Sequence, residues 1–389
     1  MNHRAEAARV LHRVRAGGAW ANVLLDRLGN EPGAAAVRAD VHGVLRHPGE
    51  LAAALAPALD RPPERLQAEV RHVLEVGAFE LLHTDTPPPV VVSACVDAVR
   101  ELGAPRAAGL VNAVLRVVAR SAPPEIDPVT AAGIPSWLVD DLTAVWGSEE
   151  TAAFVEASNR PPRTGIRIAP GTPPPAGGEP VVGIPGAQLV DVAPPGAIVQ
   201  DPASVAVVDA LEVPAGARVA DLAAAPGGKT RHLLDLVGAE GMVVAVDRHP
   251  RRARTGRARA PGAHWVVADA GRPPLAPGTF DRVLLDAPCS GLGTLRRRPE
   301  IRERIAEADT ERLSVLQARL LDAAIDLLAP GGRIVYSVCT VTPAETIGVV
   351  AGRGFRPPAG LGGRVWGDGR LLAPHLGPTD GMFIAVRDA

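Results

Sequence analysis

The stretch VADLAAAPGGKT, from Val219 to Thr230, decides how the second half of this chain folds. A short apolar run passes through a Pro-Gly-Gly turn and opens onto a helix-like segment at Lys229 and Thr230. Such a turn sets glycines, which allow close backbone approach, beside the unpaired N–H groups of a helix start. Downstream, the Val/Leu/Ile-rich runs Met242–Val246, His264–Val267, Arg282–Leu285 and Arg333–Ser337 alternate with helix-like segments, notably Thr310–Leu328. This alternation predicts a mostly parallel sheet covered on both faces, an α/β Rossmann-like domain over residues 195–389. Ligands of such sheets bind beyond the carboxyl ends of the strands, and the distinctive motifs of this half all fall there.

Working back toward the N-terminus, the pattern changes. Ala7, Val10, Leu11 and Val14 recur at helical spacing, as do Val70, Val73, Leu74 and Leu81, then Val92, Cys95, Val96 and Val99, and finally Leu110, Val114 and Val117. Breakers at Gly29–Asn30, Pro87–Pro89 and Gly103 separate them. Residues 1–122 therefore read as an all-α domain of six or seven helices, with Cys95 on an apolar face as a core residue. Between the two, residues 123–194 combine a Pro-rich linker (SAPPEIDP), a helical stretch near Trp137–Ser158, a strand-like GIRIA and a second Pro/Gly-rich run, APGTPPPAGGEP. They read as a linker and a shortened α/β module.

The 389 residues carry 41 cationic and 43 acidic side chains, a net charge of −2, which is no electrostatic signature of a nucleic-acid binder. Any nucleic-acid contact has to come from local arginine clusters. Two exist: RHPRRARTGRARA (Arg248–Ala260), whose simplest reading is a solvated helical face, and RRRPEIRER (Arg296–Arg304), better placed just after a cysteine-bearing turn. The 3 cysteines are widely spaced, which argues against a disulfide framework and for a reducing, cytoplasmic setting. No apolar run suits a membrane span, and the N-terminus has arginines where a signal peptide needs its apolar core. No metal-ligand spacing appears, and a monomer is expected.

The chemistry-bearing residues sit at strand ends. Ala223, Ala224, Ala225, Pro226, Gly227, Gly228 and Lys229 form the first turn; Lys229 is the single lysine among 40 arginines. The Pro-Gly-Gly spacing does not match the GxGxxG of dinucleotide enzymes. Asp247 closes VVAVD about twenty residues later, where an acid can accept both hydroxyls of a ribose. Asp269 follows in WVVADA. Asp286 and Cys289 lie in DRVLLDAPCSGLGT, and Cys339 in GGRIVYSVCTVTPAE.

These three segments together resemble the RNA (cytosine-5) methyltransferase family, marked by an AAPGGKT cofactor loop, a DAPC strand end and a later cysteine at another strand end. The phrases HGVLRHPGEL, VGAFELLHTDTPP and AGLVNAVLR resemble the NusB-like RNA-binding domain that the bacterial Sun/Fmu branch carries at its N-terminus. The resemblance implies an enzyme that uses S-adenosyl-L-methionine to methylate cytosine C5 in RNA, with a cytosine of 16S ribosomal RNA as the expected target. Transfer RNA, or a non-catalytic NusB-like antitermination role, is the alternative.

The resemblance also implies roles for single residues. The loop would take the methionine part of the cofactor, Asp247 its ribose and Asp269 its adenine. Cys339 would be the nucleophile and Cys289 would assist product release. Asp286 is counted with the cofactor side as well, and, on chemical grounds rather than by resemblance, an acid there would neutralise charge on the base if its pKa is raised in a closed site. Asp380 and Gly381, in the closing strand pair, would face the site. Two departures stand out: Ala223 replaces the family's usual cysteine, and the segment between Ile168 and Ile198 has prolines where a helix is expected.

Overall fold

The computed structural model describes residues 2–389. The chain forms two compact units. One comprises the residues up to Val139, Trp146–Arg160 and Leu295–Arg304. The other comprises Asp140–Val145, Pro161–Thr294 and Ile305–Ala389.

The first unit is helical. Its helices are α1 (His3–Arg15), α2 (Ala21–Asp26), α3 (Ala34–Arg46), α4 (Pro48–Leu55), α5 (Ala68–His83), α6 (Pro88–Glu101), α7 (Ala108–Val118) and α8 (Pro128–Ala132). α9 (Ser136–Trp146) and α10 (Ser148–Asn159) follow. Asn2 caps α1 by accepting the Arg4 N–H at 3.1 Å, and Asp127 caps α8 the same way, with Pro128 preset for the first turn. Val10, Leu11 and Val14 of α1, Val73 and Leu74 of α5, and Cys95 and Val99 of α6 are all buried in one core. The apolar face of α7 is displaced from the expected one. Val111, Val114, Leu115 and Val118 are buried, whereas Leu110 and Val117 flank that stripe and are exposed.

The segment Leu295–Arg304 packs with this helical unit, which engages several of its arginines while Arg298 stays exposed. Arg296 and Arg302 are 8% and 3% exposed. Arg302 Nη1 donates to the carbonyls of Arg46 (3.0 Å) and Ala132, the last residues of α3 and α8, and to Asn159 Oδ1. Arg304 Nη2 donates to the Val14 carbonyl at the end of α1, at 2.8 Å, and to that of Ala19. Glu300 accepts the Ala21 N–H at 2.9 Å, and Glu303 pairs with Arg15 at 2.8 Å. Helix C-termini expose unpaired carbonyls at the negative end of the macrodipole, and guanidiniums satisfy both needs. Burial, and then the charge of Arg46, pull the Arg302 guanidinium down to about 10.

The second unit holds two sheets. A small antiparallel sheet orders its strands β2-β3-β1-β4, with β1 Thr164–Arg167, β2 Glu179–Pro180, β3 Ala187–Val190 and β4 Ile198–Val199. No helix lies between Ile168 and Ile198, in keeping with the prolines there. Arg167 is buried and donates to Asp235 at 2.7 Å and Gln200 at 3.2 Å.

The main elements then run α11 (Pro202–Asp209), β5 (Arg218–Leu222), α12 (Gly228–Val237), β6 (Met242–Asp247), α13 (Pro250–Arg259), β7 (His264–Val267), β8 (Phe280–Asp286), α14 (Glu307–Asp326), β9 (Leu328–Val338) and α15 (Ile347–Val350). Three closing strands follow, β10 (Arg364–Trp366), β11 (Gly369–Leu372) and β12 (Met382–Asp388). The eight-stranded order is β10-β11-β12-β9-β8-β5-β6-β7. β5 through β9 pair in parallel, and β12 returns antiparallel against β9. The order reverses between β5 and β8, so their carboxyl ends form the switch-point crevice where ligands of such sheets bind.

Gly43 on α3 exists for packing: a Cβ there would fall inside the Phe79 ring of α5. Gly43→Ala should lower stability to urea by about 1–3 kcal/mol through overpacking, despite the better helix propensity of alanine. Adding Phe79→Leu to that variant should recover part of the loss.

Candidate active site

The cofactor loop leaves β5 through Ala223, which takes a positive φ of 63°, and the Ala225–Pro226 peptide is cis. Gly227 (φ 95°) then starts α12. A Cβ on Gly227 would stand 3.1 Å from the Gly256 backbone of α13, so only glycine lets loop and helix touch. Over Gly228 a Cβ would meet nothing within 4 Å, which leaves open space beside the N–H groups of the first turn of α12.

Asp247 ends β6 and is 3% exposed. One of its oxygens accepts the Ala225 N–H at 3.2 Å and the other the His249 N–H at 2.8 Å. Asp247 thus clamps the loop, and each oxygen keeps a free lone pair. Asp269 lies two residues past β7 and is exposed; it accepts the Gly271 N–H at 2.9 Å and pairs with Arg319 at 3.2 Å. The Gly271 bond and Arg319 hold its carboxyl below the usual range.

At the end of β5, Asp221 is wholly buried and accepts the Thr230 hydroxyl at 2.6 Å, tying the strand to α12. Burial pushes its carboxyl up to about 7.

The parallel pair β8–β9 sets Asp286 opposite Ser337. Asp286 accepts the Ser337 hydroxyl at 2.9 Å and the Lys229 ammonium at 2.7 Å. Burial alone would lower the Lys229 ammonium, but the Asp286 carboxylate outweighs it and holds it above its ordinary value. Asp286 is therefore an ion-paired carboxylate, and Lys229 is the proton-bearing group on that side.

Beyond the same two strands, Cys289 and Cys339 bring their sulfurs to 3.4 Å. The bond to Cys339, and then burial, push the Cys289 thiol well above its ordinary value; in the contact itself either sulfur can donate. The charge of a Cys339 thiolate would in turn be felt at Lys229. Cys95, by contrast, is sealed in the helical core, and burial raises its thiol.

Glu345 joins these two strand mouths. It is fully buried and accepts the Ser290 N–H at 2.8 Å, the Ser290 hydroxyl at 2.6 Å, the Thr342 hydroxyl at 2.8 Å, the Gln317 amide at 3.1 Å and the Thr340 hydroxyl at 3.3 Å. Gln317 also donates to the Pro288 carbonyl at 2.9 Å. Every contact falls within three residues of Cys289 or Cys339, or on the helix behind them. Sequence analysis passed over Glu345, Gln317, Ser290 and Ser337; the only signal was the dense Ser/Thr lettering around both cysteines.

Gly381, just ahead of β12, closes the site. Its N–H donates to the Gly293 carbonyl at 2.7 Å, while the Gly293 N–H donates to the Cys339 carbonyl at 3.0 Å. Asp380 is buried, with its N–H on Asp201 at 3.3 Å.

A parallel sheet with this loop and these strand mouths defines a methyltransferase of the S-adenosylmethionine-dependent class. The family model described as 16S rRNA methyltransferase RsmB/F matches residues 208–353, and that of the NusB family matches residues 1–120. Ribosomal RNA small subunit methyltransferase B of Xanthomonas campestris pv. campestris is 34% identical, over 90% of this chain and 88% of its own. The protein of that name from Thermus thermophilus is 38% identical, over 89% and 86%. The crystal structure of PH0851 shares the fold, with a TM-score of 0.80 over 99% of this chain and 98% of that one, at 22% identity. NSun6 from Pyrococcus horikoshii shares it over 65% of this chain and 97% of its own, at a TM-score of 0.55 and 20% identity. The chain belongs to the RsmB/F family of methyltransferases, with a NusB-type helical domain at its N-terminus. Among the described residues no helix is long and apolar enough to cross a membrane.

Glu345→Gln should loosen both cysteine turns at once. Charge-assisted hydrogen bonds are worth about 1.5–3 kcal/mol each, so a fall of about 2–4 kcal/mol in stability is expected. Alkylation of Cys289 and Cys339 by iodoacetamide should speed up at least fivefold, as read by mass spectrometry.

Proposed function

We propose that the protein methylates C5 of a cytosine in 16S ribosomal RNA, acting as a cytoplasmic monomer without a metal, through a transient bond between Cys339 and C6 of the base. In this reading residues 1–122 are the NusB-like RNA-binding domain, residues 123–194 the linker and small module, and residues 195–389 the catalytic domain. The observation that supports it most is the 3.4 Å pair of sulfurs beside the Lys229–Asp286 ion pair.

The residues fit S-adenosylmethionine. The open space over Gly228 and the first-turn N–H groups of α12 suit the carboxylate of the methionine part. The free lone pairs of Asp247 suit the ribose hydroxyls, and Asp269 suits the adenine amino group. Ala223–Lys229 frame this side of the crevice. When bound, S-adenosylmethionine supplies an electrophilic methyl group.

The chain's own residues prepare the base. The Cys339 thiolate adds to C6, which turns C5 into a nucleophile and splits one hard step into two easier ones. Negative charge then spreads toward N3 and O2, where the Lys229 ammonium, fixed by Asp286, can neutralise it. After methyl transfer C5 loses its proton to a base, the C6–S bond breaks and Cys339 leaves as thiolate. The Cys289 S–H that stabilises that thiolate helps it depart. The base has to leave its stack to reach sulfurs at the strand mouths.

The thiol roles separate under substitution. With labelled S-adenosylmethionine and 16S ribosomal RNA, Cys339→Ala should abolish both turnover and any covalent complex. Cys289→Ala should still add and transfer, then stall, leaving protein joined to RNA on a denaturing gel. The reverse pattern would invert the assignment.

On the cofactor side, Asp247→Ala should weaken S-adenosylmethionine binding at least tenfold, equivalent to about 1.4 kcal/mol. An unchanged affinity by calorimetry would remove Asp247 from the ribose site.

A further inference from the structure

With Arg296, Arg302 and Arg304 engaged in the helical unit, the densest run of exposed arginines lies elsewhere. Arg248–Ala268 contains six arginines and no acid over 21 residues, while the other 35 cations of the chain face all 43 acids. Arg251, Arg254, Arg257 and Arg259 of α13 are exposed, and among the described residues none has a carboxylate within ion-pair distance. Surface arginines elsewhere in this unit are commonly paired, as Arg163 is with Glu179, Arg231 with Asp235 and Arg353 with Asp322. Arg248 feels Asp269, and Arg252 donates to the Ala225 carbonyl of the cofactor loop at 2.8 Å; both stand apart from the other four.

The arrangement works against the helix itself. Arg251–Arg254 and Arg254–Arg257 are like charges at i,i+3 spacing, which repel. Arg251 also stands in the first turn, where the macrodipole disfavours cations. Local rules broken without an internal partner point to an external one. The helix is also a rigid base. Its inner face buries Ala253, Gly256 and Ala260, with Trp265 over Gly256, and it rests on the cofactor loop at Gly227.

We infer that the outer face of α13 is a phosphate-binding track that holds the substrate RNA next to the cofactor loop. This rests on the RNA-methylating function proposed above. Arginine on a stiff helix suits it, because guanidiniums grip phosphate oxygens in a fixed fork.

The test compares the wild-type chain with a variant carrying Arg251→Gln, Arg254→Gln, Arg257→Gln and Arg259→Gln, and with the corresponding four-lysine variant. The probe is an unmodified transcript of small-subunit ribosomal RNA, with affinity measured between 50 and 400 mM KCl. Each phosphate contact contributes about 0.7 to the log–log salt slope on single-stranded RNA. The glutamine variant, which removes four such contacts, should therefore lose about 3 from that slope, with S-adenosylmethionine affinity and melting temperature unchanged. The lysine variant should keep the slope, which a purely structural role would not predict. A glutamine variant with the wild-type slope overturns the track while leaving the proposed function standing. So does a loss seen only on assembled small subunits and not on naked RNA, which would make the partner a protein. A wild-type chain that neither binds nor methylates RNA overturns both.

Discussion

The register of β8 against β9, with Asp286 opposite Ser337, is the constraint on which the site depends. Parallel strands end on the same side of a sheet, so side chains just past two neighbouring carboxyl ends meet however far apart they are in the chain. That register brings together Cys289 and Cys339, fifty residues apart. It also gives Asp286 two donors, one from β9 and one from α12. A slip of one residue would turn the strand-end side chains to the opposite face and separate the sulfurs from the ion pair.

Glu345 turns that register into a rigid site. A buried carboxylate is costly unless its lone pairs are filled, and here five contacts fill them. Because the donors belong to both cysteine turns, neither turn can move without leaving the carboxylate short of partners. Tyr336 adds a lock from β9, its hydroxyl donating to the Glu345 carbonyl at 2.8 Å and standing 3.2 Å from Gln317 Oε1 as the alternative acceptor. The two cysteine residues remain partly exposed. Rigidity behind and access in front are what a nucleophile needs.

The same economy appears in the charges. One lysine serves the site, where a compact ammonium can reach Asp286 and still feel Cys339. The arginines divide by partner. Those of Leu295–Arg304 neutralise the carbonyl ends of α1, α3 and α8, while Arg251, Arg254, Arg257 and Arg259 of α13 pair with no carboxylate among the described residues. Net charge near zero hides both populations.

Much of this was legible in the chain alone. Helical spacing marked the N-terminal helices, alternation marked the parallel sheet, and AAPGGKT, DAPC and the later cysteine marked the strand ends, because these signals are local and each is set by a few neighbouring residues. What tertiary structure alone decided has a common cause, namely partners distant in sequence. Arg302 reads as a surface cation until Arg46 and Ala132 stand beside it. Asp286 reads as a candidate acid until Lys229 pairs with it. Leu110 and Val117 read as core until the phase of α7 is set by what packs against it. Glu345 reads as nothing until Ser290 and Gln317 converge on it. Composition and spacing determine which groups are available; burial and register determine which of them are charged, paired or free to react.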